Sequence, residues 1–386
     1  MKVYFWCPFI SNVATTSAVI NSIKSIKNFS NTKIDCKIIN VFKEWDELYK
    51  TIVDYKIDLL DLKTPLDIKN LPKGNFIKSR ITYFITFVFT LLKLHLLLKK
   101  NKPDFLIIHL ITSIPLSLLM LFNYETKFIL RISGYPKLNF WRSFLWKFTA
   151  KKINKIFCPT LLTKNLLIKN KIFNSEKLFV VKDPVIDVAI INAKKKKKLE
   201  KNFEWLKDKK YIVSVGRLTK QKNYTFLIKN FNNILNFFPD LCLVILGEGE
   251  ERDILEKIIK KNDLKEKVFL VGKKNNIYPF LSNALFFILT SEWEDPGFVI
   301  LESMFVRKIV LSSDCKNGPI EIIKNRDNGF LYKNNDTEDF NRSFYDIMKV
   351  INSDVKKKNT ILVSALKKTK SYSLMGHYKD ISPHLK

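Results

Sequence analysis

The chain has 386 residues, of which 46% are hydrophobic, so it is too long for one ordinary core and apolar enough to fill two. Its 67 lysines and arginines against 37 aspartates and glutamates give a formal net charge of +30. That charge suits an anionic partner such as nucleic acid, an acidic membrane surface or a phosphorylated substrate. The five cysteines are scattered and never form Cys-x-x-Cys, which argues against a disulfide framework or a zinc site and favours reduced thiols in the cytosol.

Short apolar runs in the first half of the chain predict the strands of a sheet. The first run has one lysine before an apolar stretch, as a signal peptide does, but it contains Pro8 and is better interpreted as a strand. The runs are KVYFWCPF (2–9), KIDCKIINVF (33–42), DFLIIHL (104–110), KFILRIS (127–133), KIFCPT (155–160) and KLFVVKD (177–183).

The segment ITYFITFVFTLLKLHLLL, residues 81–98, is apolar with basic flanks and is just long enough to span a bilayer. Lys93 and His95 lie inside it, however, and a charged residue near the middle of a span costs about 2.5 to 3.5 kcal/mol. We therefore expect a buried domain helix here. A helix lying on the membrane face is the second interpretation, and a true span is the third.

A block of lysines in NAKKKKKLEKN separates the two halves and is typical of a linker. We predict an N-terminal Rossmann-like domain over residues 1–190 and a lysine-rich linker over 191–204. A second Rossmann-like domain is predicted over 205–355, followed by a helical tail over 356–386.

In the second half, apolar runs alternate with amphipathic stretches, as in a parallel sheet covered on both faces. The few glycines of the chain concentrate here, mostly after a strand or before a helix, where a backbone turns tightly or approaches a ligand. Because ligands of open parallel sheets bind at the carboxyl ends of the strands, we predict that this half binds a nucleotide. The runs are YIVSVG (211–216), LCLVILG (241–247), KVFLVG (267–272), LFFILT (285–290), KIVLSS (308–313) and NGFLYK (328–333).

The stretch SEWEDPGFVILESM carries a glutamate, an Asp-Pro-Gly turn and then an apolar run that predicts a helix. Glu294 lies in the loop after the strand LFFILT, and Gly297 precedes the helix. The first N–H groups of a helix have no partner within it and form an anion site suited to phosphate. Here these groups belong to Phe298, Val299 and Ile300.

A second glutamate, Glu302, lies about 7.5 Å further along this helix at about 1.5 Å per residue. Glu294 and Glu302 therefore bracket the anion site. A nucleotide-sugar has the matching shape, because its diphosphate lies between a sugar and a ribose.

The motif GRLTKQKN, which begins at Gly216, follows the strand YIVSVG and supplies two cations, Arg217 and Lys222. Both could clamp the same diphosphate from a neighbouring strand end. Two further glycine turns, at Gly247 and Gly272, follow the next two strands, and the second is placed to meet a base.

A series of segments in the second half resembles glycosyltransferase family 4, the retaining GT-B enzymes. In chain order the segments are GRLTKQKN, PDLCLVILGEGEERDILE, VFLVGKKNNIYPFLSNA, SEWEDPGFVILESM, SDCKNGPIEII and NGFLY. The resemblance implies an α/β chain of GT-B fold, with two Rossmann-like domains facing each other across a cleft. The first domain would bind the acceptor and the second the nucleotide-sugar donor.

The resemblance also implies roles for the residues of the second domain. Arg217 and Lys222 bind the donor diphosphate. Glu294 contacts the transferred sugar, Glu302 holds the ribose, and the amides after Gly297 contact phosphate or sugar.

The first half departs from the family pattern. A glycine-rich loop is common after the first strand, but CPFISNVATTS has no glycine, so Ser11, Asn12 and Ala14 would have to make that approach. Many members have His-Gly after a later strand, where this chain has Ser133 before a glycine. His109 matches a family position near the cleft, although a lone histidine at a strand end is more often structural.

We therefore expect a hexosyltransferase of surface polysaccharide, lipopolysaccharide or glycolipid assembly that acts on a glycan or lipid-linked acceptor. It should need no cofactor besides its donor and no metal, since the sequence has no Asp-x-Asp and no metal-ligand spacing. We expect it in the cytoplasm, with peripheral association at the inner face of the plasma membrane and without nucleic acid. Another GT-B enzyme, such as a nucleotide-sugar epimerase, and a non-enzymatic basic protein that binds nucleic acid or membrane are the alternatives.

Overall fold

The computed structural model describes residues 1–10, 14–72 and 76–386, and it divides into two compact units. The first unit comprises Met1–Pro184 and Leu374–Lys386, and the second comprises Val185–Ser373.

Strands and helices alternate through the first 184 residues. In chain order they are β1 (Lys2–Trp6), α1 (Ala14–Phe29), β2 (Asp35–Asn40), α2 (Tyr49–Asp54), β3 (Asp58–Asp61), α3 (Phe76–Asn101), β4 (Phe105–Ile108), α4 (Ser113–Leu121), β5 (Lys127–Arg131), α5 (Phe140–Thr149), β6 (Lys155–Cys158), α6 (Leu161–Lys169) and β7 (Leu178–Val180).

The same alternation continues through the second unit. Its elements are α7 (Val188–Lys195), β8 (Lys210–Val215), α8 (Tyr224–Leu235), β9 (Leu241–Leu246), α9 (Arg252–Lys261), β10 (Val268–Gly272), α10 (Tyr278–Asn283), β11 (Phe287–Leu289), α11 (Phe298–Phe305), β12 (Val310–Ser313), α12 (Pro319–Ile322), β13 (Phe330–Tyr332), α13 (Thr337–Ser353) and α14 (Val355–Thr369).

Both sheets are parallel throughout. The first has the order β3-β2-β1-β4-β5-β6-β7 and the second β10-β9-β8-β11-β12-β13. In each, the strand order reverses beside the first strand of the unit, between β1 and β4 and between β8 and β11. Such a reversal opens a crevice at the carboxyl ends of the strands, where doubly wound sheets bind their ligands.

Side chains that alternate along each strand fill a separate core on each face of the sheet. In β8, Ile212 packs in one hydrophobic cluster, whereas Tyr211 and Val213 pack in the other. In β1, Trp6 and Phe5 divide in the same way between the two clusters of the first unit. This two-sided burial explains why the predicted strands are near-continuous apolar runs.

One further helix, α15 (Leu374–Ile381), returns the chain to the first unit, where it packs on α1. The Ser25 hydroxyl donates to the Leu374 carbonyl over 2.6 Å. The His377 ring bonds the Ser22 hydroxyl over 2.8 Å and the Lys182 carbonyl over 2.6 Å.

The prediction of two Rossmann-like domains is confirmed, and each predicted run contains a strand. The sequence missed β3, a half-exposed edge strand with an aspartate at each end. Residues 191–204, predicted as a linker, instead contain the end of α7 and a short turn of 3₁₀ helix that begins at Lys201, all within the second unit. The predicted tail is helical, but it divides between the units after Ser373.

Helix α3 differs from the first interpretation, because it is not a buried helix. Its stretch Arg80–Asn101 is the one helix among the described residues that is long and apolar enough to cross a membrane by length and composition, and only 28% of its apolar window is buried.

Candidate active site

Two loops meet at the carboxyl edge of the second sheet, one after β8 and the other after β11. A hydrogen bond links the two loops, because the hydroxyl of Thr290 donates to the carbonyl of Lys222 over 2.9 Å. The amide of Glu292 also donates to the Gln221 carbonyl over 2.8 Å. Residues from two separate sequence motifs therefore face the same crevice.

Lys222 and Glu294 form a salt bridge across this junction. The Glu294 side chain is 6% exposed, and its Oε1 also accepts a hydrogen bond from the Ser291 hydroxyl over 2.5 Å. The sequence assigned the lysine to phosphate and the glutamate to sugar without predicting that they would bond to each other. Both donors converge on Oε1, so Oε2 is left to meet a ligand.

The turn before α11 is built from Gly297 and Gly318. Gly297 has a φ of 88°, in the left-handed region that favours glycine. A Cβ at Gly318 would lie 2.1 Å from the Pro296 carbonyl oxygen, so only glycine allows this approach. The Asn317 amide donates to Asp295 over 2.8 Å and holds the same turn.

The N-terminus of α11 offers fewer free amides than predicted. The Ile300 amide donates to the Gly297 carbonyl over 3.1 Å, because the chain turns tightly there. The amides of Phe298 and Val299 donate to no acceptor in the described part of the chain, so the anion site consists of these two.

Glu302 lies on α11 and accepts a hydrogen bond from the Tyr278 hydroxyl over 2.7 Å. Burial raises the pKa of the Glu302 carboxyl, and burial also raises the pKa of the tyrosine. Sequence reasoning missed Tyr278, although it lies in one of the motifs used for the resemblance. The hydrogen bond fixes one carboxylate oxygen and so orients the other.

Close backbone approach explains the glycines after β8 and β9. A Cβ at Gly247 would lie only 1.7 Å from the Gly216 carbonyl oxygen, so any side chain there would separate the two loops. Gly272 has a φ of 79° and is the last residue of the neighbouring strand, β10. Arg217 is exposed, and its side chain makes no hydrogen bond or ion pair with the described residues, so it is available to a ligand.

A polar network behind the site was also missed by the sequence. The Asn223 amide donates to the Glu292 carboxylate over 2.6 Å, and the Asn335 amide donates to the same carboxylate over 3.0 Å. Asn223 has a left-handed backbone and also caps α8. This network fixes the loop that carries Lys222.

The remaining predicted residues belong to the first unit. His109 is buried, and its Nε2 has no partner among the described residues. Burial, and then the charges of Arg131 and His377, hold the pKa of His109 well below its usual value, so the ring is neutral at pH 7. Ser133 is exposed and lines the same cavity as His109. Ser11 and Asn12 lie outside the described residues.

Within the described ranges, no three His, Cys, Asp or Glu side chains gather as a metal site. The cations of the second unit's site are Lys222 and Arg217, and their loop and the loop before α11 follow neighbouring strands of the second sheet. The arrangement can bind a diphosphate through cations and amides and contact hydroxyl groups through carboxylates.

Comparison with known proteins matches residues 195–361 to the family glycosyl transferases group 1. An uncharacterized glycosyltransferase of Methanocaldococcus jannaschii is 28% identical over 59% of this chain and 59% of its own length. The N-acetylgalactosamine-N,N'-diacetylbacillosaminyl-diphospho-undecaprenol 4-alpha-N-acetylgalactosaminyltransferase of Campylobacter jejuni is 33% identical over 47% of each chain. The chain thus spans about half the length of the curated relatives it matches.

Among solved structures, Anabaena HepE in complex with UDP and glucose superposes with a TM-score of 0.71 at 14% identity, over 100% of this chain and 99% of that one. At this identity the likeness establishes the fold. The chain therefore has the GT-B fold, and its residues 195–361 match the family glycosyl transferases group 1.

Proposed function

We propose that the protein is a retaining glycosyltransferase that transfers a hexose from a nucleoside-diphosphate sugar to a glycan or lipid-linked acceptor. Its products would serve surface polysaccharide, lipopolysaccharide or glycolipid synthesis. The observation that carries the proposal is the Lys222–Glu294 salt bridge, whose carboxylate is buried, together with the free amides of Phe298 and Val299 near the strand-order reversal of the second sheet.

Departure of the nucleoside diphosphate leaves negative charge on its phosphates, and positioned cations and amides stabilise that charge in the transition state. Lys222, Arg217 and the two α11 amides supply them. Glu294 keeps Oε2 for the hydroxyls of the transferred sugar, and Glu302 accepts from the ribose. Since Lys222 also holds Glu294, a bound phosphate would couple the leaving group to the carboxylate that contacts the sugar.

The known relatives support this choice of substrates. The name of the Campylobacter jejuni relative gives a diphospho-undecaprenol-linked acceptor, and HepE binds UDP and glucose. A UDP-linked hexose is therefore the first donor to test. With the leaving-group charge met by cations and amides, the reaction needs no metal in this proposal.

We also propose a cytoplasmic protein that associates with the inner face of the plasma membrane. The net charge of +30 and the exposed apolar face of α3 support this location. Anionic lipid attracts each nearby lysine or arginine by about 1 kcal/mol.

A thermal-shift screen against UDP, GDP and ADP tests the donor site. A nucleotide at 100 times its Kd stabilises the folded state by about 2.7 kcal/mol, so one of the three should raise the melting temperature clearly. Arg217→Ala should abolish that shift. The matched control is Arg342→Ala, because Arg342 is an exposed arginine of the same unit. If no nucleotide raises the melting temperature while nucleic acid does, the protein is the basic binding protein of the alternative hypothesis.

A further inference from the structure

Helix α3 buries a stripe of threonines and leucines and exposes another apolar side to the surroundings. Thr82, Thr86 and Thr90 are fully buried on one side of the helix. The Thr86 hydroxyl donates to the Thr82 carbonyl over 2.7 Å, and Thr90 donates to the Thr86 carbonyl over 2.6 Å. The Thr82 hydroxyl donates to the Pro72 carbonyl over 2.5 Å, so all three buried hydroxyls have an acceptor inside the unit.

The other side of α3 carries large apolar side chains that are exposed. On a surface helix of a soluble protein, the side that faces away from the core is polar. A continuous exposed apolar surface of this kind marks an interaction site. The exposed residues are Ile81, Phe84, Val88, Phe89, Leu92 and Leu96.

Helix α5 adds a second exposed apolar surface. Phe140, Phe144 and Phe148 follow one another at a spacing of four residues, with ring centroids 6.4 Å and 6.0 Å apart. Trp141 is 76% exposed beside them. We call these four residues the aromatic ladder. Helix α4 packs against both α3 and α5, and all three helices contribute to one hydrophobic cluster, so they cover the same face of the first sheet.

The charges on these helices complement an anionic bilayer. Neither α3 nor α5 contains an aspartate or glutamate. Basic residues occur at both ends of α3 and within α5, including Lys99, Lys100, Arg142 and Lys147. Aromatic and aliphatic side chains with flanking lysine and arginine are the composition of helices that lie in the membrane interface.

A cavity of about 560 Å³ opens between these helices and the ends of β4 and β5. Its lining includes Arg80 and Tyr83 from α3, Trp141 and Arg142 from α5, and His109 from the end of β4, and it includes no aspartate or glutamate. The unpartnered Nε2 of the buried His109 is a second sign of a ligand, since buried polar atoms are normally bonded.

We propose that this cavity binds the phosphate of a lipid-linked acceptor while α3 and the aromatic ladder lie in the outer part of an anionic bilayer. The inference rests on the proposed function, because it names the acceptor class of the same reaction. Arg142 would meet the phosphate, and His109 would bond a hydroxyl of the attached sugar. The cavity is large enough for a sugar phosphate.

Vesicle flotation with the full chain tests the bilayer surface. The double variant Phe144→Ser/Phe148→Ser should bind phosphatidylglycerol vesicles about tenfold more weakly, a factor that corresponds to about 1.4 kcal/mol. The control Phe237→Ser removes a phenylalanine that is 67% exposed in the second unit, and it should bind like the wild type. The docking surface is refuted if the wild type does not bind these vesicles. It is also refuted if the ladder variant binds them as strongly as the wild type does.

A second flotation series tests the cavity with neutral vesicles that carry a polyprenyl-diphosphate-linked sugar. Arg142→Gln should lose the binding that this lipid adds, whereas Lys147→Gln removes the same charge from the same helix and should keep it. If both variants lose binding equally, only bulk charge is involved and the cavity site is refuted. The UDP thermal shift is measured in parallel for every variant. If UDP does not raise the melting temperature of the wild type, the proposed function is refuted. The two flotation series decide the membrane inference independently of that result.

Discussion

Breaking the Lys222–Glu294 salt bridge should destabilise the second unit even without substrate. In Lys222→Met the Glu294 carboxylate stays buried with one remaining donor, the Ser291 hydroxyl. Leaving one charge of a buried pair uncompensated costs about 3 to 5 kcal/mol. We expect about 3 kcal/mol, at the low end of that range, because Lys222 is partly exposed and Ser291 still donates.

Removing both charges should cost less than removing the lysine alone. In Lys222→Met/Glu294→Gln no buried charge is left, and the glutamine can still accept from Ser291, so we expect a loss of only about 1 kcal/mol. This ordering distinguishes a buried pair from a surface pair, in which single changes are small and simply add.

Differential scanning calorimetry measures these effects. At about 2 to 4 °C per kcal/mol for a unit of this size, Lys222→Met should lower the melting temperature by about 6 to 12 °C. Lys229→Met, an exposed lysine on α8, is the matched control and should change little. A Lys222→Met variant as stable as Lys229→Met, or a double variant less stable than either single one, would refute the role of the salt bridge.

Three further predictions concern turnover, metal and pH. Glu294→Gln should mainly lower kcat, by about 100-fold, because Glu294 contacts the reacting sugar. Glu302→Gln should mainly raise KM, by about tenfold. Steady-state kinetics measures both effects, and equal mild effects of the two variants would contradict both roles. Activity should survive EDTA, and complete loss restored by Mg²⁺ or Mn²⁺ would contradict the assignment of leaving-group charge to Lys222 and Arg217. Burial lowers the pKa of His377 to about 4 from 6.5, so its contribution to stability should be full above pH 6.5 and lost as the pH falls toward 4. Melting temperatures from pH 4 to 7 should therefore fall less steeply toward acid in His377→Gln, and parallel profiles would contradict this.

The sequence predicted the strands of the second unit well because their signals are local. Each run such as LCLVILG is buried on both faces, and glycines such as Gly247 mark the turns that follow. The resemblance then located the residues that line the sheet edge. The sequence did not predict that Lys222 and Glu294 bond to each other, because that contact joins loops that are neighbours only after the strands are ordered in the sheet.

The misinterpretation of α3 has a different cause. An almost uniformly apolar run has no periodicity that shows which face is buried. The structure buries the threonines, because Thr86 and Thr90 donate their hydroxyls to carbonyls one turn earlier and Thr82 donates to the Pro72 carbonyl. Three threonines spaced four residues apart were the available signal. The aromatic ladder of α5 was likewise visible as Phe140, Phe144 and Phe148 but was not used.

The return of α15 to the first unit has a consequence for the order in which the protein folds during synthesis. Residues 374–386 leave the ribosome after the whole of the second unit, yet they complete the core of the first. Ile20 and Ile23 of α1 lie in the same hydrophobic cluster as Ile381 and Leu385. Until the last residues are synthesised, this apolar side of α1 is therefore not covered by them. The second unit is continuous in sequence and has all its strands as soon as Ser373 has emerged. The first unit, whose synthesis begins first, is therefore the last to complete its fold.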